Sequence, residues 1–382
     1  MTFDFDTLID RAGSDSRKWR KYGQQDVLPL WIADMDFAVA PAIVAALHRR
    51  VDHGVFGYGM PLAPLTQAVV DYCAAHYDWK IDPAWLVWLP GLVTGLNLAA
   101  GAFGEKGDAI LTCPPIYPPF TSAPKNMGHE VIKVPLARHG DRYEFDWAAL
   151  EAAVTPRTRV FFLCSPHNPV GRVFSRAELE QVAAFCERHN LVLVSDDIHC
   201  DLILTGGRHV PVAALSPAAA ARTITLMAPS KTYNIPGLAC SFAIIPDAKL
   251  RVPFVRAMAG IVPEMNVLGL AACEAALRDS EPWRQALLAY LRGNRDLIAS
   301  FTAQYLPGVR MIPCEATYLA WLDVSARKLE NPGAFFERHG VGLSDGVLYG
   351  AEPGAFVRLN FGCPRATLTA ALERMQRALA SA

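Results

Sequence analysis

Between residues 85 and 276, short apolar runs alternate with segments whose apolar residues follow a helical period. This alternation predicts an α/β fold, with a largely parallel seven-stranded sheet flanked by helices. Ser175 and Glu178 have the spacing of a capping box and predict the start of the amphipathic helix "RAELEQVAAFCERH". The predicted strands are Leu86–Leu89, Ala109–Cys113, Val131–Val134, Val160–Cys164, Leu191–Ser195, Thr223–Met227 and Ser241–Ile245.

The pattern changes after residue 280. A charged amphipathic helix around Trp283–Tyr305 is followed by apolar runs at Tyr318–Leu322 and Val357–Asn360, which predict strands. These elements indicate a second, smaller α+β domain. We therefore expect a large domain over residues 31–279 and a small domain formed by residues 1–30 together with 280–382.

One uncharged segment, residues 83–104, is long enough to cross a bilayer. Prolines and glycines interrupt it and no basic flank follows, so it is better interpreted as a strand, a tight turn and a buried helix. The start of the chain, "MTFDFDTLIDR", is acidic and lacks the apolar centre of a signal peptide. Nine scattered cysteines without a C-x-x-C pair favour buried thiols in a reducing cytoplasm.

The composition of the chain excludes some classes of binding partner. Hydrophobic residues make up 52% of the chain, and 36 Lys+Arg oppose 37 Asp+Glu for a formal net charge of -1. Such a chain folds rather than staying disordered. Since no segment concentrates Lys and Arg, we expect neither nucleic acid nor an anionic membrane as a partner.

Polar groups follow four of the predicted strands, where ligands bind in open α/β sheets. The first strand leads into "PGLVTGL", a turn entering a helix whose free N–H groups suit a phosphate. Later strands lead into Asn168 in "SPHNPVG", Asp196 in "DDIH", and Ser230 with Lys231 in "APSK". An anion nest, an amide, a carboxylate and an amine are the groups that bind pyridoxal phosphate (PLP).

Each feature also has a simpler interpretation. Lys231 alone is most often a surface lysine, and Asn168 between two prolines is most often a turn residue. If the strand continues, its period of two places Asp197, His199 and Asp201 on one face, as a metal site would require. The cluster lacks a second histidine, so we expect no metal. The four features together are far less probable by chance than any one of them.

Motifs along almost the whole chain resemble a known family. In order they are "DSRKWRKYG", "DVLPLWIADMDF", "FGYG", "PPIYPPF", "SPHNPVGR", "SDDIHCDL", "APSKTYNIPGL", "TYLAWLD" and "FVRLNFGCPR". The sequence is similar to the fold-type I PLP enzymes of aminotransferase class I/II. Within them it resembles the MalY/PatB subgroup of cystathionine β-lyase-like carbon–sulfur lyases. Pro236 departs from the alanine usual in that family, which leaves the shape of the substrate pocket open.

The resemblance implies a role for each matching residue. Lys231 bonds covalently to PLP and moves protons, and Asp196 pairs with the pyridine nitrogen. The ring oxygen receives a hydrogen bond from Asn168, assisted by His199, and Tyr117 stacks on the ring. The remaining implied contacts are the backbone of Gly91, Leu92 and Val93 and the hydroxyl of Ser230 to the phosphate, Tyr58 to the phosphate of a partner subunit, and Arg358 and Ala33 to the substrate.

A shared phosphate site implies a homodimer, and the subgroup implies a β-lyase acting on cystathionine, cysteine or a related amino acid. Two other functions remain open at this point. An aminotransferase of the same fold would use every residue named above, and a non-catalytic regulator would use the fold as a scaffold. The presence of both Lys231 and Arg358 argues against the regulator.

Overall fold

The computed structural model describes residues 3–381. Its strands are β1 Leu28–Pro29, β2 Leu86–Leu89, β3 Ala109–Thr112, β4 Glu130–Lys133, β5 Ala137–His139, β6 Arg142–Glu144, β7 Thr158–Cys164, β8 Val192–Asp196, β9 Thr223–Met227, β10 Ser241–Ile244, β11 Arg310–Met311, β12 Leu319–Asp323, β13 Val341–Gly342, β14 Ser344–Asp345 and β15 Phe356–Asn360. Its α-helices are α1 Arg17–Arg20, α2 Pro41–Asp52, α3 Ala63–Tyr77, α4 Leu92–Ala102, α5 Pro119–Asn126, α6 Trp147–Ala153, α7 Arg176–Arg188, α8 Pro217–Ala220, α9 Ala248–Met258, α10 Val267–Asp279, α11 Glu281–Tyr305, α12 Pro332–Arg338 and α13 Arg365–Ala380.

A seven-stranded sheet forms the centre of the molecule, in the order β2-β10-β9-β8-β7-β3-β4. Strands β4, β3, β7, β8 and β9 pair in parallel, while β10 is antiparallel to both of its neighbours, β9 and β2. The predicted α/β class and mainly parallel sheet are therefore confirmed. All seven predicted strands form, each within two residues of the predicted bounds.

Both faces of this sheet are covered, and for that reason its strands are continuous apolar runs. Along β7, Val160 and Phe162 pack on one side with helix α4, while Phe161 and Leu163 pack on the other side with helix α7. Helix α7 begins with the predicted capping box, in which the Ser175 hydroxyl and the Glu178 carboxylate each accept a backbone N–H of the other.

The four-stranded antiparallel sheet β11-β12-β15-β14 lies in the C-terminal part of the chain. Residues 28 and 29 contact this part directly, because β1 pairs with β13 through Leu28 and Val341. Helices α11 and α13 contribute Leu287 and Leu372 to the core beneath the sheet. The division into domains at residues 30/31 and 279/280 stays a prediction.

The uncharged segment 83–104 forms β2, a turn at Gly91 and helix α4, as predicted. Among residues 3–381 we find no helix with the length and apolarity needed to span a membrane. The nine cysteines are all free and buried, which confirms that they are buried thiols.

Candidate active site

A cavity of about 300 Å³ opens at the carboxyl ends of β2, β7, β8 and β9. Parallel strands direct the residues that follow them to the same edge of the sheet, and this explains why distant motifs meet there. Eleven of the twelve predicted site residues line it: Ala33, Gly91, Leu92, Val93, Tyr117, Asn168, Asp196, His199, Ser230, Lys231 and Arg358.

Lys231 lies four residues beyond the end of β9 and reaches across to the loop that follows β1. Its Nζ donates a hydrogen bond to the backbone oxygen of Ala33 at 2.5 Å. Burial of the ammonium lowers the pKa of Lys231 to about 8, although the carboxylates of Asp34 and Asp196 oppose the change. A substantial fraction of the amine is therefore neutral near physiological pH, as a nucleophile or proton acceptor requires.

Asp196 is the last residue of β8 and is 4% exposed. Burial raises the pKa of its carboxyl to about 7, and the neighbouring charge of Asp197 acts in the same direction. A backbone hydrogen bond from Ile198 and the charge of Lys231 stabilise the carboxylate in part. The site thus holds a carboxylate that lacks full compensation, and a cation or N–H donor in the cavity would supply it.

Arg358, on β15, is 4% exposed and is therefore not a surface arginine. Its Nη1 donates to Asn168 Oδ1 at 3.0 Å and its Nη2 donates to the Trp31 backbone oxygen at 2.9 Å. The guanidinium also lies 4.7 Å from the ring centroid of Tyr349. Because Asn168 accepts through its oxygen, its NH₂ group is left to donate into the cavity.

His199 is buried against Tyr318, with the two ring centroids 6.2 Å apart. Burial lowers the pKa of His199 to about 3, helped by the charges of Lys231 and Arg358, so its imidazole is neutral. Its Nδ1 has no hydrogen-bond partner within the described residues. Tyr117 lies partly buried on the cavity wall, and burial raises the pKa of its phenol.

The anion-binding end of the cavity is the first turn of helix α4. Gly91 is the N-cap, and the N–H groups of the first helical residues have no acceptor within the helix. A Cβ added to Gly91 would meet no atom within 4 Å beyond its chain neighbours, so the backbone there borders open space. The Ser230 hydroxyl lines the same cavity, and together they suit a phosphate.

The residues present fit PLP. Asp196 offers a carboxylate for the pyridine nitrogen, Asn168 and the unpartnered His199 can bond the ring oxygen, and Lys231 offers its amine to the aldehyde. The turn at Gly91 offers N–H groups to the phosphate. The cavity volume, about 300 Å³, is at the lower limit for small-molecule sites.

Two predictions need separate comment. Tyr58 does not line the cavity of its own chain as far as the structure describes it; its side chain is 98% exposed. The prediction that a continued strand places Asp197, His199 and Asp201 on one face is wrong, because β8 ends at Asp196 and turns follow. No group of three His, Cys, Asp or Glu side chains in residues 3–381 is arranged to hold a metal ion.

The sequence reasoning missed several groups at the site. Tyr318 donates its hydroxyl to the Ala33 oxygen at 3.0 Å, which fixes the carbonyl that also receives Lys231. Cys240 and Ser241 line the cavity because β10 is antiparallel, so its amino end lies at the edge where the other strands end. The motif "TYLAWLD" pointed to Tyr318; nothing in the sequence pointed to the reversed strand.

Comparison with known proteins places this geometry in a family. The family described as aminotransferase class I and II matches residues 25–375. Cystathionine beta-lyase PatB of Bacillus subtilis is 38% identical over 385 residues, covering 98% of this chain and 100% of PatB. The crystal structure of OvoB is 46% identical, with a TM-score of 0.96 and complete coverage of both chains. A PLP-bound C-S lyase from Staphylococcus hominis is 30% identical, with a TM-score of 0.93 and coverage of 99% and 98%. The chain therefore belongs to the aminotransferase class I and II family, in the group that contains PatB.

Proposed function

We propose that this protein is a PLP-dependent carbon–sulfur β-lyase that converts a cystathionine- or cysteine-type amino acid to a thiol, pyruvate and ammonia. The observation that carries the proposal is the convergence of Lys231, Asp196, Asn168 and Arg358 on one cavity. Full-length similarity to a cystathionine beta-lyase and to a PLP-bound C-S lyase supports this chemistry over others of the same fold.

Bound PLP supplies an electron-accepting ring that stabilises negative charge at the substrate Cα. Asp196 keeps the pyridine nitrogen protonated, because its buried carboxylate is stabilised by a positive partner. Asn168 directs its NH₂ group toward the ring oxygen, since its own oxygen is occupied by Arg358. These two residues would hold the pyridine nitrogen and the ring oxygen of PLP.

Arg358 binds the substrate carboxylate and thereby orients the Cα–H bond. Lys231 removes the α-proton; its lowered pKa leaves the amine free to accept it. The bond between the β-carbon and sulfur then breaks with its electron pair going to sulfur, and the departing thiolate takes up the proton that Lys231 removed. Addition of water to the remaining unsaturated amino acid yields pyruvate and ammonia. The Ala33 oxygen, 2.5 Å from Lys231 Nζ, holds the amine in the cavity that both residues line.

The site is completed by a second copy of the chain. The segment 55–62 exposes Val55, Phe56, Tyr58, Met60 and Leu62, with Tyr58 at 98%. An exposed apolar segment of this kind favours a protein interface. In the resulting homodimer, the Tyr58 hydroxyl reaches the phosphate bound by the partner subunit.

The decisive assay incubates the purified protein, PLP and cystathionine without any 2-oxo acid. Pyruvate and ammonia formed under these conditions support the lyase, whereas strict dependence on a 2-oxo acid acceptor would make the protein an aminotransferase. Lys231→Ala is expected to abolish turnover and the visible absorbance of the bound cofactor. Lys125→Ala, at an exposed lysine in the last turn of helix α5, is the matched control and should retain both. Full activity of Lys231→Ala would reject the proposed site.

A further inference from the structure

A chain of three buried polar side chains lies behind Asp196. Ser195 Oγ donates to Asp197 Oδ1 at 2.5 Å, and the His209 imidazole Nε2 is 2.6 Å from Asp197 Oδ2. The Asp197 side chain is 0% exposed and that of His209 is 2% exposed. The proton transfers and contacts described above use neither Asp197 nor His209.

The network of Ser195, Asp197 and His209 faces away from the cavity. Among the described residues, the cavity lining includes Asp196 but neither Asp197 nor His209. The backbone N–H of Asp197 donates to the Leu226 oxygen of β9 at 2.9 Å, which fixes the residue at the edge of the sheet. Adjacent carboxylates thus point to different sides of one strand end, and only one of them reaches the cofactor site.

Two negative charges this close oppose each other in a buried setting. The charge of Asp197 contributes to the raised pKa of the Asp196 carboxyl, while Lys231 on the cavity side lowers it. Asp197 does not line the cavity that holds Lys231, so its charge is offset by its own partners. Of these, Ser195 is a neutral donor, and His209 is the group that can carry a positive charge.

A second carboxylate nearby has other partners. Asp201 accepts the Tyr77 hydroxyl at 2.5 Å, and the Arg284 guanidinium donates to the Asp201 backbone oxygen at 3.0 Å. The ring of Tyr77 packs edge-on against His209, with the centroids 5.8 Å apart, and shields the pair from water. His209 is therefore committed to Asp197.

We propose that His209 is a positioning residue that neutralises Asp197, so that Asp196 can remain negatively charged opposite the pyridine nitrogen of PLP. This inference rests on the proposed function, since it requires that the cavity bind PLP. The His209 imidazole, 2.6 Å from Asp197 Oδ2 and buried with it, is placed to offset the charge of Asp197, which leaves the charge of Asp196 for the cofactor ring. Without His209, the uncompensated charge of Asp197 would favour a neutral Asp196 and weaken its ion pair with a pyridinium.

The test compares PLP dissociation constants of cofactor-free wild type, His209→Gln, Asp197→Asn and the double variant, measured by titration with PLP. Glutamine can donate a hydrogen bond but cannot carry the charge. We expect His209→Gln to weaken PLP binding about tenfold, and Asp197→Asn in the same chain to restore it to within about threefold of wild type. A purely structural role predicts no rescue, because the double variant loses more native interactions than either single one.

Three results would overturn the proposal: wild-type affinity in His209→Gln, a double variant as weak as His209→Gln, or no PLP binding by wild type. The last would also reject the proposed function, whereas the first two leave it standing. If His209→Gln does not fold, the double variant is compared with Asp197→Asn alone. The charge role predicts that removing His209 from the Asp197→Asn protein weakens PLP binding less than about threefold. A loss of about tenfold in this comparison would also reject the proposal.

Discussion

Asp196 should be a source of instability in the cofactor-free protein. Its carboxyl has a pKa of about 7 in the fold against 3.8 when exposed, with burial as the main cause. The difference of about 3 corresponds to about 4 kcal/mol at about 1.36 kcal/mol per pKa unit. Replacing the residue with asparagine removes the ionisable group but keeps an oxygen that can accept the Ile198 N–H.

The direction in which stability changes with pH follows from the number of protons that the folded and unfolded chains bind. Between pH 3.8 and about 7, folded Asp196 holds a proton that the unfolded chain has released, so its contribution to stability falls as pH rises through this range. The advantage of Asp196→Asn should therefore grow from near zero at pH 3.8 to about 4 kcal/mol at pH 8, and stay level above that.

Urea denaturation of both cofactor-free proteins at several pH values measures this advantage directly. The comparison variant is Asp197→Asn, at a buried carboxylate one residue away that is paired with His209. This variant should destabilise the fold by about 3 kcal/mol, because it breaks a buried pair. If Asp196→Asn is no more stable than wild type at pH 8, or its advantage does not vary with pH, the reasoning about the desolvated carboxylate is wrong.

Three further predictions concern other parts of the molecule. Arg358→Lys should lower kcat/KM for cystathionine about 100-fold without loss of bound PLP. The reason is that one ammonium cannot replace the planar guanidinium that bonds Asn168 and Trp31. Steady-state kinetics measure the loss of activity, and absorbance measures the bound PLP. Tyr58→Phe should raise the PLP dissociation constant about tenfold, and an unchanged constant would refute the shared phosphate site. Lys18→Met should cost about 3 kcal/mol in urea unfolding, since the buried ammonium lies 2.7 Å from Asp36; a loss below about 1 kcal/mol would contradict this.

The sheet could be predicted from the sequence because its strands are covered on both faces. Burial of Val160 and Phe161 on opposite sides makes β7 a continuous apolar run with clear ends. The polar residues at the ends of parallel strands must share one edge, and that requirement alone predicts that Asn168, Asp196 and Lys231 lie together. Strand length and position are local properties, so a local pattern can reveal them.

Other features depend on contacts that no local pattern records. The direction of β10 is set by its pairing with β9 and β2, and for that reason the sequence does not predict Ser241 at the site. His209 follows Asp197 by twelve residues, across an irregular segment that returns it to the strand end. Strands as short as β13 have too few residues to show any alternation.

The two ionisable groups at the cofactor site are perturbed in opposite senses by the same cause. Burial raises the pKa of Asp196 to about 7 and lowers that of Lys231 to about 8, so each group is driven toward its neutral form. Bound PLP would relieve both costs if Asp196 faces its ring nitrogen and Lys231 its aldehyde, as proposed above. Removing the desolvation cost of these two groups would then add to the free energy of cofactor binding. Under the proposed function, cofactor affinity and the stability of the fold are therefore coupled through Asp196 and Lys231.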